Sequence, residues 1–145
     1  ISSSLQEGHS LINRTKIRVI YADTDAMGIV YHTNYIKWFE VGRTELFRDL
    51  GIVYAEWAAE GISLPLTRAY CHYLLPARYD DMVWVETELA YLKRASLKFR
   101  NIIRNEEKKQ ILATGYTVHA CLNREGKISR IPKKMAVMII RGIQT

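Results

Sequence analysis

From Thr15 the chain alternates, with Ile17, Val19 and Tyr21 on one side and Lys16 and Arg18 on the other. A period of two predicts a half-buried first strand over 15–21. The period then changes. Tyr35, Phe39, Gly42 and Leu46 recur at helical spacing, Ile36, Phe47 and Leu50 widen the stripe, and Gly51 supplies a stop. Together they predict one long helix over 34–50. Thr33 or Asn34 offers a side-chain oxygen as N-cap. A shorter helix over 53–60 ends at Gly61, after which period two returns over 63–75, 82–93, 95–105 and 110–123, then briefly near 127–131. Pro132 opens a last short segment, read as a helical turn.

The breaks between the later strands are short, as in Asn105-Glu-Glu-Lys-Lys109 and Asn123-Arg-Glu-Gly126. Parallel neighbours need crossovers of a dozen residues or more, so these strands should pair antiparallel. A long helix inserted after the first strand, then a meander, is an α+β pattern. The sheet buries the helix stripe on one face and leaves its other face or an edge open, which predicts a homodimer or homotetramer. Residues 1–14 are polar and aperiodic and read as a flexible N-terminal segment ahead of a single domain over 15–145.

Composition narrows the class. Of 145 residues, 48% are hydrophobic and 25% charged, as in an ordinary globular domain. The longest apolar run late in the chain, Ala136 to Ile140, is far short of the ~20 residues that cross a bilayer, so no integral membrane segment is expected. Cys71 and Cys121 lack metal-ligand spacing and fall in strand-like runs, where buried, reduced thiols and a cytoplasmic setting are expected. No metal is expected. The formal charge of +6 suits an anionic partner, but the Lys and Arg residues are spread out, with no RNA-binding signature. Nucleic acid is therefore not expected as a partner.

The chemistry concentrates in YADTDAMGIVYHTNY, Tyr21 to Tyr35. A helix N-terminus carries unpaired N–H donors and partial positive charge, which suits a carbonyl oxygen that becomes negative under attack. Asp25, in the loop before that helix, can act as general base or nucleophile. Gly28 marks a close backbone approach or a positive φ. His32 at the helix start can hold water, polarise the carbonyl or protonate a leaving group, and Tyr21 can orient Asp25. The plainer alternative is that Asp23 and Asp25 only make Asx turns and His32 is structural.

This run, continued by Trp38-Phe39-Glu40, Arg43, Thr44 and Glu45, resembles the hotdog-fold acyl-CoA thioesterases. The nearest branches are the bacterial one encoded with Tol-Pal components and 4-hydroxybenzoyl-CoA thioesterase. The resemblance covers about Lys16 to Pro132 and implies a long antiparallel sheet wrapped around one central helix. It implies hydrolysis of an acyl-CoA to an acid and free CoA. The second aspartate of the family's D-x-D pair is its catalytic carboxylate and falls on Asp25; the family's Tyr and His fall on Tyr21 and His32. In the hydroxybenzoyl branch the backbone N–H at the His32 position meets the thioester carbonyl. Gly28, Ile29, Val30 and Tyr31 are then expected to contact substrate. Met27 stands where many relatives carry Gly. Lys93, Arg94 and Ser96, with Lys133 and Lys134 next, are the candidates for the phosphates of CoA. No cofactor is implied, because CoA is part of the substrate.

Two further points stay open at this level. Glu40 and Arg43 suit an i,i+3 ion pair, with a second catalytic carboxylate as the competing role for Glu40. Alternative functions are a non-catalytic acyl-CoA binder or sensor of the same fold, a thioesterase acting on acyl carrier protein, and a hydratase. The hydratase pattern, D-x4-H, disagrees with the seven-residue spacing of Asp25 and His32.

Overall fold

A computed structural model of the protein describes residues 11–144. In chain order they form β1 (Ile12–Arg18), α1 (Thr33–Asp49), α2 (Tyr54–Ala59), β2 (Leu66–Tyr73), β3 (Met82–Leu92), β4 (Ser96–Asn105), β5 (Ile111–Ala120) and α3 (Lys133–Gln144). The strands make one sheet in the order β1-β3-β4-β5-β2, with every neighbouring pair antiparallel. β3, β4 and β5 form a meander, as their short breaks predict. α1 lies across one face, which confirms the α+β class.

Strand alternation decides which face that is. Val83, Val85, Thr87 and Leu89 of β3 are buried beneath α1. On the other face Glu86 receives Arg14 and Arg104 at 3.1 Å each, Glu88 receives Arg100 at 3.0 Å, and Lys16 lies over Trp84. Pairs this exposed contribute at most about 1 kcal/mol each. They engage four of the 21 Lys and Arg residues.

The core divides along α1. Tyr35, Trp38 and Phe39 pack with Val19, Val83, Val85, Ile103 and Leu112. One or two turns later Leu46, Phe47 and Leu50 pack with Leu89, Leu97, Phe99 and, from α3, Met135, Ile139 and Ile143. Between the two clusters helix and sheet touch through glycine. A Cβ on Gly42 would collide with the Thr87 hydroxyl and lie 2.9 Å from Val85 Cγ1. A Cβ on Gly115 would lie 2.8 Å from the Phe39 ring.

A buried polar seam runs through this waist. The Thr87 hydroxyl donates to Asn101 Oδ1 at 3.0 Å. His119, 1% exposed, lies 3.2 Å through Nε2 from an Arg43 guanidinium nitrogen. Arginine only donates, so Nε2 is the acceptor. Nδ1 therefore carries the proton and donates to the Leu64 carbonyl at 3.0 Å. The Thr117 hydroxyl, 3.0 Å from Nε2, donates there too. Burial, reinforced by the Arg43 charge and opposed by the Leu64 carbonyl, lowers the His119 pKa to about 4. His119 is thus a neutral structural residue.

Several boundaries differ from the sequence reading. β1 starts at Ile12 and ends at Arg18, because its bounds follow pairing with β3, from Ile12↔Glu88 to Arg18↔Met82. Of the flexible segment expected over 1–14, residues 1–10 lie outside the described residues and Ile12–Arg14 are strand. The strand expected near 127–131 reduces to an isolated Leu122↔Ile128 bridge. The expected helical turn is α3, a 12-residue amphipathic helix whose Met135, Ile139 and Ile143 enter the core. The i,i+3 ion pair on α1 is Glu45–Arg48 at 3.6 Å, while Arg43 turns inward to His119. Cys121 is buried and Cys71 half-buried, both free. No helix among the described residues is long and apolar enough to cross a membrane.

Candidate active site

Tyr21–Asp23 form a single 3-10 turn, after which the chain doubles back as a short hairpin. Its rungs are Tyr31 N–H to the Asp23 carbonyl (2.9 Å), the Thr24–Val30 bridge, and Asp25 N–H to the Ile29 carbonyl (2.8 Å). Gly28 closes the tip at φ 76°, a conformation glycine adopts without strain. The hairpin is fastened along its length. Val30 N–H donates to the Ala77 carbonyl at 3.0 Å and Tyr79 N–H to the Gly28 carbonyl at 2.9 Å. The buried Asp23 carboxylate takes Lys37 of α1 at 3.3 Å, and its carbonyl takes the Asn34 side-chain amide at 2.8 Å.

Asp25 is half-buried near the hairpin tip. Its Oδ1 accepts the N–H groups of Met27 (2.8 Å) and Ile29 (3.1 Å). That is an Asx turn, so the plainer expectation for this residue is also met. Among the described residues nothing donates to Oδ2. One oxygen anchors the side chain, and the other keeps its lone pairs for chemistry. Two rungs, roughly 7 Å at strand spacing, separate Asp25 from the rung abutting α1.

His32 stands at the N-cap position of α1, with no side-chain cap. Asn34 and Tyr35 N–H groups turn back onto the carbonyls of Tyr31 and His32 at 3.0 and 3.2 Å. The N–H groups of His32 and Thr33 find no acceptor among the described residues, as expected in the first turn of a helix. Beside them lies a cleft of about 200 Å³, lined by Ile29, Val30, His32, Tyr35 and the Tyr73–Pro76 segment.

The cleft holds a residue that the sequence reading passed over. Tyr73, the last residue of β2, stacks on the His32 imidazole with centroids 4.3 Å apart and planes 17° apart. Its hydroxyl donates to the His32 carbonyl at 3.0 Å. Burial, with the Cys71 thiol beside it, pushes the Tyr73 pKa up to about 12, so it remains a donor at neutral pH. In the sequence it is one more alternating strand position. The exposed run Tyr73-Leu-Leu before Pro76 is its only local signal.

Gly28, Ile29 and Val30 lie in the hairpin and Tyr31 beside α1, so these expected contacts share a region with Asp25 and His32. Tyr21 does not. Its side chain is 73% exposed and packs edge-on against Tyr79 at 5.8 Å. Pairing of β1 stops at Arg18, and the 3-10 turn rotates the ring outward. The Met27 and Ile29 amides hold Asp25 Oδ1, while Tyr79, against which the Tyr21 ring packs, fastens the hairpin tip. Lys93, Arg94 and Ser96 form the β3–β4 turn, closed by Lys93 N–H on the Ser96 carbonyl at 2.9 Å. Arg130, also missed, joins Lys93 and Arg94 around a second cleft of about 260 Å³. This turn is the 11-residue length of β3, roughly 35 Å, from the Asp25 end of the same chain. Among the described residues no group of three His, Cys, Asp or Glu side chains could hold a metal.

One antiparallel sheet carrying a single long helix, with an acidic hairpin feeding that helix, is the hotdog fold. The chain belongs to the thioesterase-like superfamily, whose family model matches residues 19–139. The acyl-CoA thioester hydrolase YbgC of Escherichia coli O6:H1 is 37% identical over 94 residues, 65% of this chain and 70% of that protein. A DHNA-CoA thioesterase from Staphylococcus aureus superposes with a TM-score of 0.79 at 34% identity, covering 82% of this chain and 80% of its own. The hypothetical protein AQ1494 from Aquifex aeolicus gives 0.82 at 35% identity, covering 88% and 98%.

Proposed function

We propose that the protein hydrolyses acyl-CoA thioesters to a carboxylic acid and free CoA. The observation that carries this is the division of labour at Asp25. Two amides clamp Oδ1, and Oδ2 is left open on a hairpin that leads straight into unsatisfied helix N–H donors. The thioester oxygen sits against the His32 and Thr33 N–H groups, which stabilise the negative charge it gains. Asp25 either takes a proton from a water that attacks the carbonyl carbon, or attacks that carbon itself to give an acyl-aspartyl anhydride that water then hydrolyses; both routes break the C–S bond, consume one water and end in acid and thiol. His32 supplies the proton to the departing sulfur. CoA enters as part of the substrate, and the reaction draws on no cofactor and no metal. The names of the Escherichia coli and Staphylococcus aureus proteins support this reading.

The working form is a homodimer or a homotetramer. Among the described residues β2 ends the sheet with its backbone edge open and with Leu66, Tyr70, Leu74 and Leu75 exposed on or just beyond it. An unpaired strand of this kind templates another. Antiparallel pairing of two β2 edges brings the Lys93–Ser96 end of one copy alongside the Asp25 end of the other. That supplies the basic groups for the CoA phosphates which a single chain holds roughly 35 Å away. The free cysteines fit a reducing, cytoplasmic setting.

The test is thiol release from a panel of acyl-CoAs, read with a thiol-trapping dye. Asp25→Asn should lower kcat by at least about 100-fold without loss of fold. An unchanged rate would remove Asp25 from the mechanism. Binding without turnover by the parent protein would make it a sensor.

A further inference from the structure

We propose that Tyr73 is a positioning residue for this reaction, holding the His32–Thr33 peptide so that its N–H points at the substrate carbonyl. The inference rests on the hydrolytic reading above. The peptide whose carbonyl belongs to His32 is the same peptide whose N–H belongs to Thr33. That carbonyl receives two donors, the Tyr35 N–H at 3.2 Å and the Tyr73 hydroxyl at 3.0 Å. The first is ordinary helix-start geometry. The second comes from a different layer of the fold, the last residue of β2.

A donor on the carbonyl draws electron density from the peptide nitrogen and makes its N–H a stronger donor. It also fixes the plane of the peptide, so the free N–H keeps one direction. The Tyr73 ring adds a second restraint, since the His32 imidazole stacks on it at 4.3 Å. The ring is itself held. Tyr35 meets it edge-on at 5.0 Å, and the Tyr35 hydroxyl is anchored by the Ala77 N–H at 3.1 Å. The strand edge, the helix start and the segment that fastens the hairpin therefore meet at one side chain.

Tyr73→Phe removes the hydroxyl and keeps the stack; Tyr73→Leu removes both. With the acyl-CoA turned over fastest in the panel, Tyr73→Phe should lower kcat roughly 3- to 10-fold at unchanged KM, and Tyr73→Leu should lower it further. A purely structural tyrosine would not alter the bound carbonyl. In an Asp25→Asn background, carbonyl-labelled substrate is bound and its C=O stretch recorded by infrared difference spectroscopy. Adding Tyr73→Phe should move the band back toward its position in water. If Asp25→Asn is inactive while Tyr73→Phe keeps kcat within twofold and leaves the band in place, the Tyr73 role is wrong and the hydrolytic reading stands. If Asp25→Asn retains full activity, the hydrolytic reading falls and takes this inference with it.

Discussion

Acidification should strike His119 in a calculable way. The ring is buried, neutral and accepts from Arg43, so adding a proton would place two positive groups 3.2 Å apart at the waist of the core. Its pKa falls from 6.5 to about 4. Between those values the unfolded chain binds a proton that the folded chain refuses. Stability from this group is complete above pH 6.5 and is lost as pH falls toward 4. About 2.5 pH units at roughly 1.4 kcal/mol each gives a full loss of about 3.5 kcal/mol, of which about 3 kcal/mol is reached at pH 4, where the folded-state ring is half protonated. The assay is urea unfolding at fixed protein concentration between pH 7 and pH 4, on the parent and on His119→Gln. Glutamine keeps a donor for the Leu64 carbonyl and an acceptor for Arg43, but does not titrate in this range. Other acidic groups contribute alike to both proteins and cancel. The parent should lose about 3 kcal/mol more than the variant across the window. Identical pH dependence, or a ring titration midpoint near 6.5 by NMR, would refute the neutral, buried assignment.

Gly42→Ala gains helix propensity but drives a methyl into Thr87 and Val85, so urea unfolding should show a net loss of about 1–3 kcal/mol; a variant as stable as the parent would mean the waist is looser than described. Lys93→Ala with Arg94→Ala should raise KM for CoA thioesters roughly tenfold and leave turnover of a short pantetheine-like thioester unchanged. Mixing that double variant with Asp25→Asn, after dissociation and reassembly, should restore low-KM activity, because one site in each mixed dimer then carries neither lesion. Activity no higher than the sum of the separate variants would exclude a site shared between copies.

The parts legible in the sequence were those set by local period. α1 falls within a residue of its predicted bounds because its apolar stripe and Gly51 stop are local features. β1 departs from its expected bounds because pairing with β3, some 70 residues away, decides where it begins. α3 is longer than the expected helical turn because the run Ala136-Val-Met-Ile-Ile140 masks the i, i+4, i+8 spacing of Met135, Ile139 and Ile143. At the site, Asp25, Gly28 and His32 announced themselves by residue type in one short loop. Tyr73 did not, since its partner is reached only after the sheet has formed. Lys93 and Arg94 were picked out by charge, but their distance from Asp25 depends on the path of the meander.

The glycine waist also governs how such an enzyme can change its substrate. With Gly42 against Thr87 and Phe39 against Gly115, α1 and its own strands pack too closely at the waist to admit a hydrocarbon tail there. In the dimer proposed above, a longer tail would be housed laterally, past Tyr73 to Leu75 and along the seam between copies. Selection for new chain lengths would therefore rewrite the strand edge and its contacts before it touched the helix or the acid.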